Sequence, residues 1–400
     1  MKRTARTKRL LTLLVIVLLS GCSIAAVDYG PVRHADYVAD PRCTAEPGAV
    51  VDGEALPLFF ATSRLPDCRT ADISMLRHRS DKIRYGRFAV PHEAEVAGKK
   101  KLRTPMAFQN SADWWTALQA ETDRRQGRVL LYVHGYRETF ETTSKDAAQI
   151  ARMTGFDGPV IEYSWPSQGE VLSYAVDETN MYHDVRNFRD FLKTLAERPW
   201  VKEVVVVSHS LGARLVIPAI AYVDRTSSNA DSSNISNVIL ASPDIDRETF
   251  ERDIEEEVLS PRRVANNRRI TVYVSHADKA LAASRALHGY PRLGSPYCFD
   301  PFEAADLKAK ELPVRCYPKS VAGLTVVDTT DVSRTTTGHS NFLRSAVACR
   351  DFVDVVADKR ARPDRMATHL AHVFKLLPDP ADPKPDDETI CNRLPVVAAP

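Results

Sequence analysis

The chain has 400 residues, of which 44% are hydrophobic and 26% charged, with a formal charge of +2. That is an ordinary globular balance. It offers no basic excess to hold a nucleic acid, so a nucleic-acid partner is not expected.

Residues 1–21 have the order of a bacterial lipoprotein leader. Lys2, Arg3, Arg6, Lys8 and Arg9 form a basic start, and Leu10 to Leu19 is an apolar run too short to span a bilayer well. Leu19-Ser20-Gly21-Cys22 resembles a lipobox, which would place a lipid on the Cys22 sulfur. Ser23 is not the Asp that commonly retains such proteins in the inner membrane, so an outer-membrane anchor facing the periplasm is expected. The leader carries five Lys/Arg and no acid, so its removal turns the net charge negative. Residues 22–55 read as a tether with a reach of roughly 30 Å. Residues 377–400 read as a Pro- and Asp-rich tail over the surface.

Between these ends, apolar strands alternate with helical patterns. Strands are expected at 56–63, 83–91, 128–136, 159–165, 203–210, 237–245, 269–278 and 323–330. Helices are expected at 144–156, 176–197, 211–223 and about 341–357, with Ser144 as a cap of the first and Gly155 near its end. Continuous apolar strands separated by helices imply a mostly parallel central sheet covered on both faces, in one α/β domain over 56–376. An irregular insert spans about 285–320. With Cys22 set aside, the other cysteines suggest bridges Cys43–Cys68, Cys298–Cys316 and Cys349–Cys391 by closeness in sequence.

In such a sheet, ligands bind beyond the C-terminal ends of the strands. Ser210 follows VVVV, and Asp244 follows VILA. Asp278 follows TVYV, and His339 follows the last strand. The stretch SHSLG is the strand–turn–helix pattern of a nucleophile elbow, except that Ser208 stands where glycine is commoner. Serine near neutral pH needs a base, and the base needs an orienting carboxylate. His339 is the candidate base and Asp278 the candidate acid. Asp244 is the rival acid, and Asp246 a weaker one better read as a helix cap. The Leu211 amide opens the following helix and faces any developing oxyanion. His209 is read as locked beside the nucleophile and pointing elsewhere, and His276 as packed under the acid. Trp165, Pro166 and Ser167 are read either as a pocket wall or as a packed turn. Arg64 is read as pinning an early strand by an ion pair. His369 and His372 have no acidic partner at zincin spacing, and no G-x-G-x-x-G follows a strand. Neither a metal nor a nucleotide cofactor is expected.

Taken together, FATSR, VHGY, EYSWPSQGE, SHSLG, ASPDID, SHADKAL and GHSNF resemble a bacterial α/β-hydrolase family of largely unassigned function within the esterase/lipase superfamily. The resemblance covers about residues 56–345. It implies the α/β-hydrolase fold, a Ser210–Asp278–His339 triad and a small-molecule or lipid ester as substrate. It also implies that the Tyr136 amide is the second oxyanion donor and that His134 holds the oxyanion loop. A thioesterase or amidase would use the same residues. A non-catalytic binding or scaffolding lipoprotein would keep the fold without the chemistry.

Overall fold

A computed structural model describes residues 55–67, 74–91, 106–227, 234–253, 257–298, 315–359, 362–379 and 391. The leader with Cys22, the tether up to residue 54, the Cys43–Cys68 pair, residues 299–314 of the insert and most of the tail lie outside these residues. Among the described residues, no helix is long and apolar enough to cross a membrane.

The strands in chain order are β1 (Ala55–Asp67), β2 (Ser74–Pro91), β3 (Met106–Gln109), β4 (Arg128–Val133), β5 (Val160–Ser164), β6 (Glu203–His209), β7 (Ile235–Ala241), β8 (Arg269–Val274), β9 (Leu324–Asp328), β10 (Arg365–Ala367) and β11 (Val373–Leu376). The helices are α1 (Ser111–Asp123), α2 (Phe140–Thr154), α3 (Tyr174–Ala196), α4 (Ala213–Thr226), α5 (Arg247–Asp253), α6 (Pro261–Ala265), α7 (Lys279–His288), α8 (Asn341–Arg344) and α9 (Ala346–Val356). One sheet runs in the order β10-β11-β9-β8-β7-β6-β4-β5-β1-β2-β3. Its middle, from β11 through β1, is parallel, and only β10, β2 and β3 run against their neighbours. This is the α/β-hydrolase fold.

The valines of β6 show why the sheet is buried on both sides. Successive strand residues point to opposite faces. Val204 and Val206 enter the core under α1, α3 and α4, with Trp114, Phe188 and Ile220. Val205 and Val207 enter the core under α2 and α9, with Ile150 and Phe352. All four are fully buried, each worth about 1.5–3 kcal/mol of transfer free energy. β4 lies between β6 and β5, so the chain leaves β4 to one side and returns on the other. Such a reversal is where an open α/β sheet commonly places its ligand, and here it brings VHGY and SHSLG side by side.

The structure alters several local expectations. The helix after VHGY begins at Phe140, and its cap is Thr139, which exchanges hydrogen bonds with Thr142 in a capping box. Ser144 lies inside that helix and donates to Glu162 Oε2 at 2.8 Å. Gly155 ends it in the left-handed conformation, as its place suggests. The last helical stretch breaks at Ser345 into α8 and α9. β2 begins nine residues before the expected start of its strand, and α1, β3, β10 and β11 appear where no element is expected. His369 and His372 do not sit on a helix, and His372 Nε2 reaches the Pro318 carbonyl oxygen at 2.9 Å. Among the described residues, none forms an ion pair with Arg64. It is fully buried and donates to Ser164 Oγ (3.0 Å), Ser167 O (2.8 Å) and Glu138 O (2.8 Å). Burial pulls its pKa down to about 10. The pairs Cys298–Cys316 and Cys349–Cys391 are bonded as expected.

Candidate active site

β6 carries the elbow. Its last residue, His209, is extended, and the next one, Ser210, turns to φ 51°. A non-glycine residue in the left-handed region is strained and has to be held by its surroundings. The Asp244 amide does part of this, donating to the Ser210 carbonyl at 3.0 Å. The close approach is at Gly212, where a Cβ would come within 2.5 Å of His134 O. Such a Cβ would also stand 3.1 Å from Ser208 Oγ, so a serine fits at 208 while glycine is required at 212. Ser208 is fully buried, and among the described residues none hydrogen-bonds to its hydroxyl.

Asp278 ends the β8 loop and caps α7, accepting from Leu281 N at 2.9 Å. Its other oxygen lies 2.7 Å from His339 Nδ1. The carboxylate fixes the proton on Nδ1, which leaves Nε2 as the basic nitrogen. Burial by itself would lower the His339 pKa, but the charge and hydrogen bond of Asp278 outweigh it and raise it above the ordinary value. Gly338, at φ 68°, brings the His339 loop against Ala277, where any Cβ would stand 2.6 Å from a carbonyl oxygen. The His339 ring reaches the elbow through His209, 4.8 Å away between ring centres. No hydrogen bond joins Ser210 Oγ to His339 Nε2 in this conformation.

The rival acid is committed elsewhere. Asp244 accepts from Tyr174 OH (2.5 Å), Ser284 Oγ (2.7 Å) and Arg292 Nε (2.6 Å), with Arg214 Nη2 at 3.6 Å. Burial would raise its pKa, but Arg292 and Arg214 pull it below the ordinary carboxylate value. It is an ionised brace for the elbow. Asp246 caps α5 by accepting from Thr249 N at 2.7 Å. His276 is half-buried, and its amide donates to Thr330 Oγ1 at 2.9 Å, which ties it to the turn after β9. His209 does not point away from the site. It packs on the His339 ring.

The candidate oxyanion loop follows β4. Gly135 presses on Ser210, since a Cβ there would stand 2.7 Å from Ser210 Cβ. Beyond it, the Arg137 amide donates to Asp177 Oδ2 (3.0 Å) and the Glu138 amide to Ser167 Oγ (3.0 Å). Asp177 also accepts from Ser167 Oγ (2.5 Å) and the Gln168 amide (2.6 Å). Among the described residues, none accepts from the Tyr136 amide. His134 is buried, stacks on Trp165 at 4.8 Å and 6°, and places its ring nitrogens 2.9 Å from Gly135 O and 3.0 Å from Trp165 O. Burial, aided by Arg64, drives its pKa far down. Trp165 and Ser167 are therefore a packed turn under the loop, not a pocket wall. Asp177 and Tyr174 are side chains of the candidate site to which the sequence alone did not point. An Asp in the first turn of a helix reads only as a favourable charge at that end.

Solved structures similar to this chain include a predicted CIB-like hydrolase from Thermoplasma acidophilum, at 13% identity over 69% of this chain and 91% of that one (TM-score 0.32). Another is an esterase from the archaeon Pyrobaculum calidifontis, at 11% identity over 68% and 82% of the two chains (TM-score 0.27). Carboxyl esterase 2 from the fungus Tuber melanosporum is 11% identical over 82% and 92% (TM-score 0.29). No curated protein matches the sequence. Residues 110–353, more than half of the chain and holding both candidate oxyanion donors, the elbow, Asp278 and His339, match the family described as alpha/beta hydrolase of unknown function (DUF900), and the chain belongs to that family.

Proposed function

We propose that the protein is a serine hydrolase that cleaves carboxylic esters through an acyl-enzyme. Ser210 Oγ attacks the ester carbonyl carbon while His339 Nε2 takes its proton. The tetrahedral oxyanion is held by the Tyr136 and Leu211 amides, each donor being worth about 3 kcal/mol in the transition state. His339 then returns the proton to the departing alkoxide, and the alcohol leaves an acyl-Ser210 ester. Water attacks that ester, with His339 again taking and returning one proton, and the acid departs. Asp278 holds the imidazole in its Nδ1–H form and stabilises the imidazolium. A thioester or amide would pass through the same steps.

The observation that carries this reading is the 2.7 Å contact between His339 Nδ1 and Asp278, set beside a serine at φ 51°. A purely scaffolding chain has no need of a raised imidazole pKa next to a strained serine. The lipobox motif at Leu19–Cys22 supports a lipid anchor on Cys22, which would place the enzyme on the periplasmic face of the outer membrane. Hydrolysis of p-nitrophenyl esters of graded chain length tests the reading. Ser210→Ala is expected to lower turnover by several orders of magnitude, up to about 10⁶-fold. An unchanged rate in that variant would overturn it.

A further inference from the structure

His209, the residue before the nucleophile, sits between the two loops that must converge on Ser210. It is extended at φ −110° and ψ 135°, and buried. Its ring lies 4.8 Å from the His339 ring and 5.3 Å from Phe342. Nε2 is 3.2 Å from the His339 carbonyl oxygen. A carbonyl only accepts, so Nε2 carries the proton and Nδ1 is bare. That Nδ1 is buried, and among the described residues none hydrogen-bonds to it. It faces the oxyanion loop, where a Cβ on Gly135 would stand 3.3 Å away.

We propose that His209 is a positioning residue, which ties the main chain of His339 to the elbow and so sets where the base meets Ser210. The inference rests on the reading of Ser210 and His339 as nucleophile and base. A phenylalanine would fill the same space and cover the same ring without burying a lone nitrogen. What a histidine adds is the bond to the His339 carbonyl. His339 is then gripped at three places: Asp278 on its ring nitrogen, the tilted His209 ring against its ring, and His209 again on its carbonyl oxygen. Burial, with the neighbouring His339, pushes the His209 pKa down to about 3. The ring therefore stays neutral and does not repel the imidazolium that forms on His339.

The test compares the full-length protein with His209→Phe and His209→Gln, and with Ser210→Ala as a control, on one p-nitrophenyl ester. His209→Phe keeps the ring and removes the donor, and His209→Gln keeps an N–H at similar reach. A displaced catalytic group loses rate steeply, so His209→Phe is expected to lower kcat about 10- to 100-fold, with KM near the wild-type value. Its Tm is expected to hold or rise, because the lone buried nitrogen is gone. His209→Gln is expected to regain much of the lost kcat. A wild-type kcat in His209→Phe beside an inactive Ser210→Ala overturns the positioning role alone. A kcat that falls only together with Tm, unrecovered by glutamine, overturns it as well. Activity surviving in Ser210→Ala overturns the reading beneath it.

Discussion

Ser210 and His339 owe their candidate chemistry to neighbours that are remote in sequence. Asp278 both caps α7 and holds His339, so one carboxylate fixes a helix end and a tautomer. Asp278→Asn should lower kcat about 10⁴-fold, as loss of the orienting carboxylate does in other triads. The sign of its pH effect follows from the raised His339 pKa. The base works only when neutral, so the wild-type kcat/KM should rise with pH through a value above the ordinary histidine pKa. The asparagine variant loses the charge that favours the imidazolium, so its residual rate should rise at lower pH. Paired pH–rate profiles check this. At this scale the sequence placed Ser210, Asp278 and His339 after strands and Leu211 at a helix start, where the structure has them, whereas Tyr136 came only from the resemblance to the family. It was silent on Asp177 and Tyr174, whose roles come from side chains meeting across loops. His209 was misjudged for the same reason: the direction of a strand-end ring depends on what packs beside it.

The loop after β4 and the strand beside it rest on buried carboxylates. Glu162 of β5 is fully buried and accepts from Ser144 at 2.8 Å. Burial pushes its pKa up to about 8, against the pull of the Ser144 hydrogen bond and the Arg64 charge. Glu138 and Asp146 are raised by burial too. An acid whose pKa is higher folded than unfolded binds its proton more tightly in the native state. Its stabilising contribution is complete below the unfolded value and is lost as pH rises towards the folded one. Between about pH 4.5 and about pH 8, Glu162 therefore makes the fold less stable as pH rises. Glu162→Gln should flatten the fall in Tm over that window and gain stability relative to wild type at its upper end. Thermal melts at graded pH decide it, and an unchanged slope would contradict the assignment. Most elements were legible, since the central parallel strands are continuous apolar runs. The first half of β2 was not, because SMLRHRSDK is polar and pairs with β1 outside the core. α1 carried a readable signal in Trp114, Trp115, Leu118 and Thr122, all on its buried face. β10 and β11 span only a few residues at the sheet edge, too few to set a period.

Across the molecule, the sheet order brings loops from β4, β6, β8 and β9 to one end, and the candidate site exists only where they meet. Cys298–Cys316 and Cys349–Cys391 close distant segments around that frame. In the proposed mechanism, folding turns Ser210 into a nucleophile. Reaction of the folded protein with a fluorophosphonate probe, followed by tryptic mapping, tests it most directly. One adduct is expected, on Ser210 in the peptide EVVVVSHSLGAR, lost on prior denaturation and absent in Ser210→Ala. No adduct on the folded protein, or one that persists in Ser210→Ala, would contradict it.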